Sequence, residues 1–247
     1  MVGIGSTTLR RHIMAERNSL VERATTAPGR QQTDVAGQQA AGLKVLRDTY
    51  RLLSMTLIFS AAVAVGSAML GLPRLGLLIT LGGFFGLLFL TQYLRNSPWG
   101  LVSVFAFTGF LGYTLGPMLN LYMSLGNGPQ LIGTALGTTG VAFLGLSAYA
   151  RGQNAPNMLR FGTFLTIGIL TAFVLALVSY FFQMPALSLA VSGVFVLLMC
   201  GLIMFETQNI INGGETNYIM ATVSLYVSIY NLFTSLLHLL GVFGGDD

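Results

Sequence analysis

Charge is what this 247-residue chain has least of: Asp, Glu, Lys and Arg make up 8% of it, against 53% hydrophobic residues and a mean hydropathy of +0.73. Soluble domains carry roughly 25% charged residues, so no water-facing surface can be assembled from this composition. Cysteine is nearly absent. The single Cys200 sits in an apolar run, which excludes an internal disulfide and a Cys-built metal cluster. Two histidines, one of them His12 in the polar N-terminal stretch, leave a His-built zinc or haem site without ligands. No phosphate-binding loop or His-Glu-x-x-His motif is present, and neither a cofactor nor a metal is expected. The few cations are also concentrated: residues 1–51 hold eight Lys/Arg and four Asp/Glu, and the other 196 residues share four Arg and four acids. Four scattered arginines cannot supply the phosphate contacts of a nucleic-acid surface, so that partner is excluded as well.

What is present is apolar sequence in long runs. Spanning a bilayer takes about 20 helical residues, and seven such runs occur: Leu52 to Leu72, Leu75 to Leu94, Leu101 to Tyr122, Leu131 to Ala150, Phe161 to Phe182, Ala186 to Phe205 and Tyr218 to Phe243. Pro, Gly and charged residues mark the breaks, with Pro73-Arg74 between the first two and Asn212-Gly213-Gly214-Glu215 before the last. The fold class is therefore all-α, a polytopic membrane protein built as a seven-helix bundle. The polarity of the seventh run leaves open six spans plus a re-entrant last segment. Residues 1–42, rich in Arg, Gln, Thr, Ala and Gly, have too few large apolar side chains to offset chain entropy and read as a disordered tail. The transmembrane domain occupies 43–247, and Leu43, Leu46 and Tyr50, at helical spacing among charges, suggest an interfacial helix leading into the bilayer. Arg10-Arg11 has the look of a twin-arginine signal, but the apolar stretch such signals need does not follow it.

Orientation follows from the positive-inside bias. With the tail in the cytoplasm, eleven Lys/Arg fall inside, including Arg95, Arg151 and Arg160, and only Arg74 falls outside. Seven spans then place Asp246 and Asp247 on the outer, periplasmic side, and the loop with Glu206 and Glu215 on the cytoplasmic side.

Within the spans, three features stand out. Glycine, 31 residues in all, recurs at four-residue spacing in Gly82/Gly86, Gly112/Gly116 and Gly133/Gly137, which suits close approach of helix backbones within the molecule or, as the minority reading, between copies. In the last span Asn217, Ala221, Ser224, Ser228, Asn231, Ser235 and His238 form one small and polar stripe, which must face protein or water; interhelical hydrogen bonding and a polar conduit are the two readings. Tyr218, Ile219, Val223, Leu225, Val227, Ile229, Leu232, Leu236 and Leu239, on the other faces, suit lipid or apolar neighbours. Glu206 adjoins the end of a long apolar run, where it either snorkels to the interface with Thr207, Gln208 and Asn209 or marks a functional site. No catalytic constellation emerges: Ser147 in Gly145-Leu146-Ser147-Ala148 and His238 belong at opposite ends of their spans, and Gly244-Gly245-Asp246 is a chain-end fragment without a second intramembrane Asp. The chain is not expected to be an enzyme.

Phe205-Glu206-Thr207-Gln208, Gly213-Gly214-Glu215-Thr216-Asn217-Tyr218-Ile219 and Leu225-Tyr226-Val227-Ser228-Ile229-Tyr230-Asn231-Leu232-Phe233 resemble the Bax-inhibitor family. Lys44 to Tyr50 and Phe105 to Tyr113 are similar to its bacterial YccA-like subgroup, modulators of the FtsH protease. The resemblance covers about Leu43 to Gly241. It implies a seven-helix inner-membrane protein whose partners are the bilayer, an FtsH-type membrane protease and jammed Sec translocon components. Residues 1–42 would serve as a cytosolic handle for the protease. Other members resemble pH-sensitive calcium leak channels in which two acids on the last two helices share a proton; the matching positions here are Glu206 and Ser228, so the second carboxylate is missing and the latch cannot work in that form, though a water-lined site with Asn231 remains open. The resemblance thus implies a candidate polar or pH-sensing site of Glu206, Ser228 and Asn231, next to a cytoplasmic loop with Glu215 and Asn217. A calcium or cation leak is the alternative to the modulator.

Overall fold

The computed structural model describes the backbone of residues 5–152 and 155–244, and few side chains before residue 40. Asp246 and Asp247, the Gly245-Asp246 fragment and the Arg10-Arg11 side chains lie outside the described residues. Seven α-helices follow one another: α1 Gly5–Met69, α2 Leu77–Leu94, α3 Trp99–Met123, α4 Gly128–Ala150, α5 Gly162–Phe181, α6 Pro185–Ile211 and α7 Tyr218–Phe243. A 3-10 turn, Met158–Phe161, leads into α5. All seven helices contain a segment long and apolar enough to cross a membrane. Helix is what the sequence physics demands, because in lipid every backbone N–H and C=O must be satisfied within the segment.

The chain divides into two units, residues 1–41 and 42–247. In the first, the backbone is helical from Gly5, where composition led to the expectation of an unfolded segment. Ala, Arg, Gln and Glu favour helix through local propensity alone, and the side chains described there, His12, Met14 and Glu16 among them, are exposed.

The second unit is the membrane bundle. The crossing segment of α1, Ala40–Met69, begins twelve residues before the run expected from Leu52, so the stretch from Leu43 continues α1 and is not a separate interfacial helix. Leu46, Thr49, Leu52 and Leu53 are buried there, which explains why the helix does not stop at Arg47 and Arg51. The turn to α2 holds Gly71 at φ +60°, a left-handed position that glycine tolerates, ahead of Pro73. Pro185 opens α6, and Asn217 caps α7 by accepting from the N–H groups of Ile219 and Met220. At 26 residues α7 is about 39 Å long and crosses in one piece, which removes the re-entrant alternative.

α7 is the axis of the bundle. All three hydrophobic clusters draw on it: Leu225 and Ile229 join Leu53, Phe107 and Leu111 from α1 and α3; Phe233 and Leu237 join Leu115 and Leu131; Leu232 joins Leu165 and Met199. Ile219, Val223, Leu225, Ile229 and Leu232, on the faces expected to suit lipid or apolar neighbours, are buried against protein, whereas α2 buries only Thr91. Of the three glycine pairs, one packs as expected. A Cβ at Gly112 would run into Ser60 and one at Gly116 into Ser67 of α1, but at Gly82, Gly86, Gly133 and Gly137 it would meet open space, so the Gly82/Gly86 and Gly133/Gly137 pairs make no intramolecular packing.

Candidate functional site

Glu206 and Ser228 come from neighbouring helices, α6 and α7. The Ser228 hydroxyl donates to Glu206 Oε2 at 2.9 Å and also stands 3.0 Å from the Ser224 carbonyl. Ser228 is fully buried and Glu206 partly so. α6 does not end at Phe205; it runs on to Ile211, and the Thr207 and Gln208 side chains next to Glu206 are bonded inside protein. Thr207 donates back to the Ile203 carbonyl, and Gln208 clasps the connection between α4 and α5, donating to the Pro156 carbonyl at 2.9 Å and accepting from the Met158 N–H at 2.8 Å. Both are buried.

Asn231, the third candidate, is turned elsewhere. Its amide donates to the Val227 carbonyl at 2.8 Å, and it lines a different space, a polar cavity of ≈ 550 Å³ shared by α5, α6 and α7. Inside that cavity Ser192 Oγ and His238 Nδ1 are 2.7 Å apart. The polar stripe of α7 is therefore split: Ser228 faces Glu206, while Asn231, Ser235 and His238 face the cavity. The Ser192–His238 pair escaped sequence reading because 46 residues separate its members and no local spacing joins them. Ser147 is not paired with His238; its hydroxyl is buried without a partner among the described residues.

The loop residues do structural work. Glu215 accepts from the Asn217 N–H at 2.8 Å, fixing the turn that Gly213 begins at φ +76°. Asn217 uses its carbonyl oxygen to cap α7 and its amide to reach the Arg95 carbonyl and Asn96 Oδ1, both at 3.0 Å, so the α6–α7 and α2–α3 loops are tied together. A lost cap costs about 1 kcal/mol, and each bond to the neighbouring loop adds up to about 0.5 kcal/mol at this half-exposed site. Asn217→Ala is therefore expected to destabilise by about 1.5–2 kcal/mol in detergent unfolding and Asn217→Asp, which keeps the cap, by about half as much; equal losses would contradict the two-part role.

A family model described as Inhibitor of apoptosis-promoting Bax1 matches residues 43–245. The chain belongs to the Bax inhibitor family. Among curated members, Modulator of FtsH protease YccA of Escherichia coli (strain K12) is 53% identical over 203 residues, 82% of this chain and 92% of that one. An uncharacterized protein of Pseudomonas aeruginosa is also 53% identical, over 82% and 91% of the two chains. An uncharacterized protein of Neisseria meningitidis serogroup B is 34% identical over 211 residues, 82% of this chain and 92% of its own. The family match starts at residue 43, one residue into the membrane unit that begins at Gly42. The Bax inhibitor fold therefore corresponds to that unit. The α6–α7 pair that the resemblance singled out, Glu206 with Ser228, lies in it as one carboxyl and one hydroxyl.

Proposed function

We propose that this chain is a non-enzymatic inner-membrane modulator of an FtsH-type protease, sparing membrane proteins such as translocon components from degradation. The observation that carries this reading is the 53% identity, over nearly the whole length of the relative, to the protein named Modulator of FtsH protease YccA. In this arrangement the N-terminus and the loops with Arg95, Arg151 and Arg160 face the cytoplasm, in keeping with the excess of basic residues there, and the C-terminus faces the periplasm.

Residues 1–41 supply the contact with the protease. They precede the family match and bury none of their described side chains, so an ATP-driven enzyme could engage them without first unpacking the bundle. Deleting residues 2–41 spares Gly42, which lies against the end of α6 where a Cβ would meet the Ile210 and Ile211 carbonyls. The expected result is a folded protein no longer turned over by the protease; unchanged turnover in a pulse-chase would refute the handle.

A second reading, a proton-regulated cation leak, is favoured by the Glu206–Ser228 pair and by the polar cavity farther along α7. It predicts a calcium flux in reconstituted vesicles that is lost in Glu206→Gln. Protease restraint without flux selects the modulator.

A further inference from the structure

Two openings follow each other along the seam between α1 and α4. At the basic end of the bundle, Arg47, Arg51 and Arg151 surround a pocket of ≈ 400 Å³ that Tyr50 also lines. Deeper in the membrane-crossing part, a groove of ≈ 440 Å³ is lined by Ile58, Ala61 and Val65 of α1 and by Leu136, Gly140 and Phe143 of α4. Tyr50 and Phe143 join the two spaces, their rings edge to face at 5.7 Å, and the Arg151 guanidinium lies 5.6 Å from the Tyr50 ring centre.

We propose that this seam holds one anionic glycerophospholipid, its phosphodiester between the three arginines and an acyl chain along the groove. The charges favour a phosphate. Arg47 has only a loose pairing with Asp48 at 3.9 Å, Arg51 makes no ion pair or hydrogen bond among the described residues, and Arg151 spends only its Nε, on the Ser147 carbonyl. Guanidinium forks therefore remain free for phosphate oxygens, which they bind in two-point fashion. Tyr50 contributes its ring to the wall of the pocket, beneath the Arg151 guanidinium.

The dimensions fit the rest of the molecule. From Arg51 to Val65 is fourteen residues of α1, about 21 Å, and from Arg151 to Leu136 is fifteen residues of α4, a similar length. Half the hydrocarbon thickness is about 15 Å, so the groove carries a chain from the interface past the membrane centre. The groove is open for entry: Ile58, Val65 and Leu136 are each more than half exposed, and a Cβ on Gly140 would meet nothing. Basic pockets between membrane helices that adjoin an apolar groove are matched to lipids of this charge.

The test uses the full-length protein in mild neutral detergent, followed by native mass spectrometry and thermal shift. Probes are phosphatidylglycerol, phosphatidylethanolamine and glycerol phosphate, the last carrying the phosphate without the chains. Phosphatidylglycerol is expected to bind at least about tenfold more tightly than phosphatidylethanolamine. Arg51→Gln, at an exposed side chain with no partner to lose, should weaken it severalfold, and the triple variant Arg47→Gln, Arg51→Gln, Arg151→Gln should abolish the preference. The corresponding Lys triple should keep the preference with weaker binding, because it retains the charge and loses the two-point forks, which also separates charge from folding. Ala61→Phe, which blocks the groove, should weaken both lipids. Unchanged phosphatidylglycerol binding in Arg51→Gln and Ala61→Phe would overturn the proposal. So would displacement of the lipid by glycerol phosphate at equal concentration, which would reduce the site to a phosphate pocket.

Discussion

Replacing Gly112 with leucine is expected to cost at least about 3 kcal/mol and lower the unfolding midpoint in detergent by roughly 6–12 °C, while the same change at Gly137 stays within about 0.5 kcal/mol. Both glycines belong to four-residue pairs and look alike in sequence. At Gly112, however, the added Cβ points at the backbone carbonyl of Ser60, which cannot rotate away as a side chain would. α1 must then withdraw from α3, and two links along that seam go with it. One is the hydrogen bond between the Ser60 and Tyr226 hydroxyls, which ties α1 to the axial helix. The other is the Ser67 hydroxyl donating to the Tyr113 carbonyl at 3.2 Å. Gly137 has open space around it, so leucine there meets lipid. Gly112→Ala distinguishes close backbone approach from bulk, because even one methyl group should destabilise. Equal shifts for Gly112→Leu and Gly137→Leu would mean that the α1–α3 approach does not hold the bundle together.

This contrast marks where sequence reading stops. The seven helices were legible because lipid imposes a simple rule, long apolar runs between Pro, Gly and charged breaks, and α2, α4 and α7 lie within a few residues of the runs expected for them. The end of α6 was not legible. Glu206, Thr207, Gln208 and Asn209 have the composition of an interface, and only the loop carbonyl of Pro156 and the N–H of Met158, about fifty residues away, show that Gln208 is inside protein. The polar stripe of α7 was correctly found as a pattern, but whether its members act together depends on what stands opposite each one. Ser228 meets a carboxyl from α6, and Asn231, three residues on, opens onto the cavity of Ser192 and His238. The same limit applied to glycine: spacing reveals that a backbone could be approached closely, not that another helix is there.

Glu206→Leu is expected to make the protein more stable and, under the proposed modulator function, less able to restrain the protease. The stability half follows from what the carboxyl does in the bundle. An acidic group at the centre of a span costs about 2.5–3.5 kcal/mol on insertion scales, and less toward an end; Glu206 lies five residues, about 8 Å, before Ile211 at the close of α6. The Ser228 hydroxyl offsets part of that cost, at about 0.6 kcal/mol for an average interhelical bond in a membrane and at most about 1.7. Removing the carboxyl leaves Ser228 with its own helix partner, the Ser224 carbonyl at 3.0 Å, so no buried donor is orphaned. The net change is a gain of about 1–2 kcal/mol, read as a higher unfolding midpoint in detergent. Glu206→Gln keeps a hydrogen-bonding group opposite Ser228 and should fall between the two. The functional half is read as the half-life of a membrane protein degraded by the protease, in cells making each variant at equal level. A group that the fold would be better off without is retained for what it does, so the variant that gains stability should lose the activity. If Glu206→Leu gains stability and leaves substrate lifetime where the unsubstituted protein sets it, the pair with Ser228 has no part in the proposed modulation. If it loses stability, the carboxyl is a packing element, and the site must be sought in the cavity where Ser192 meets His238.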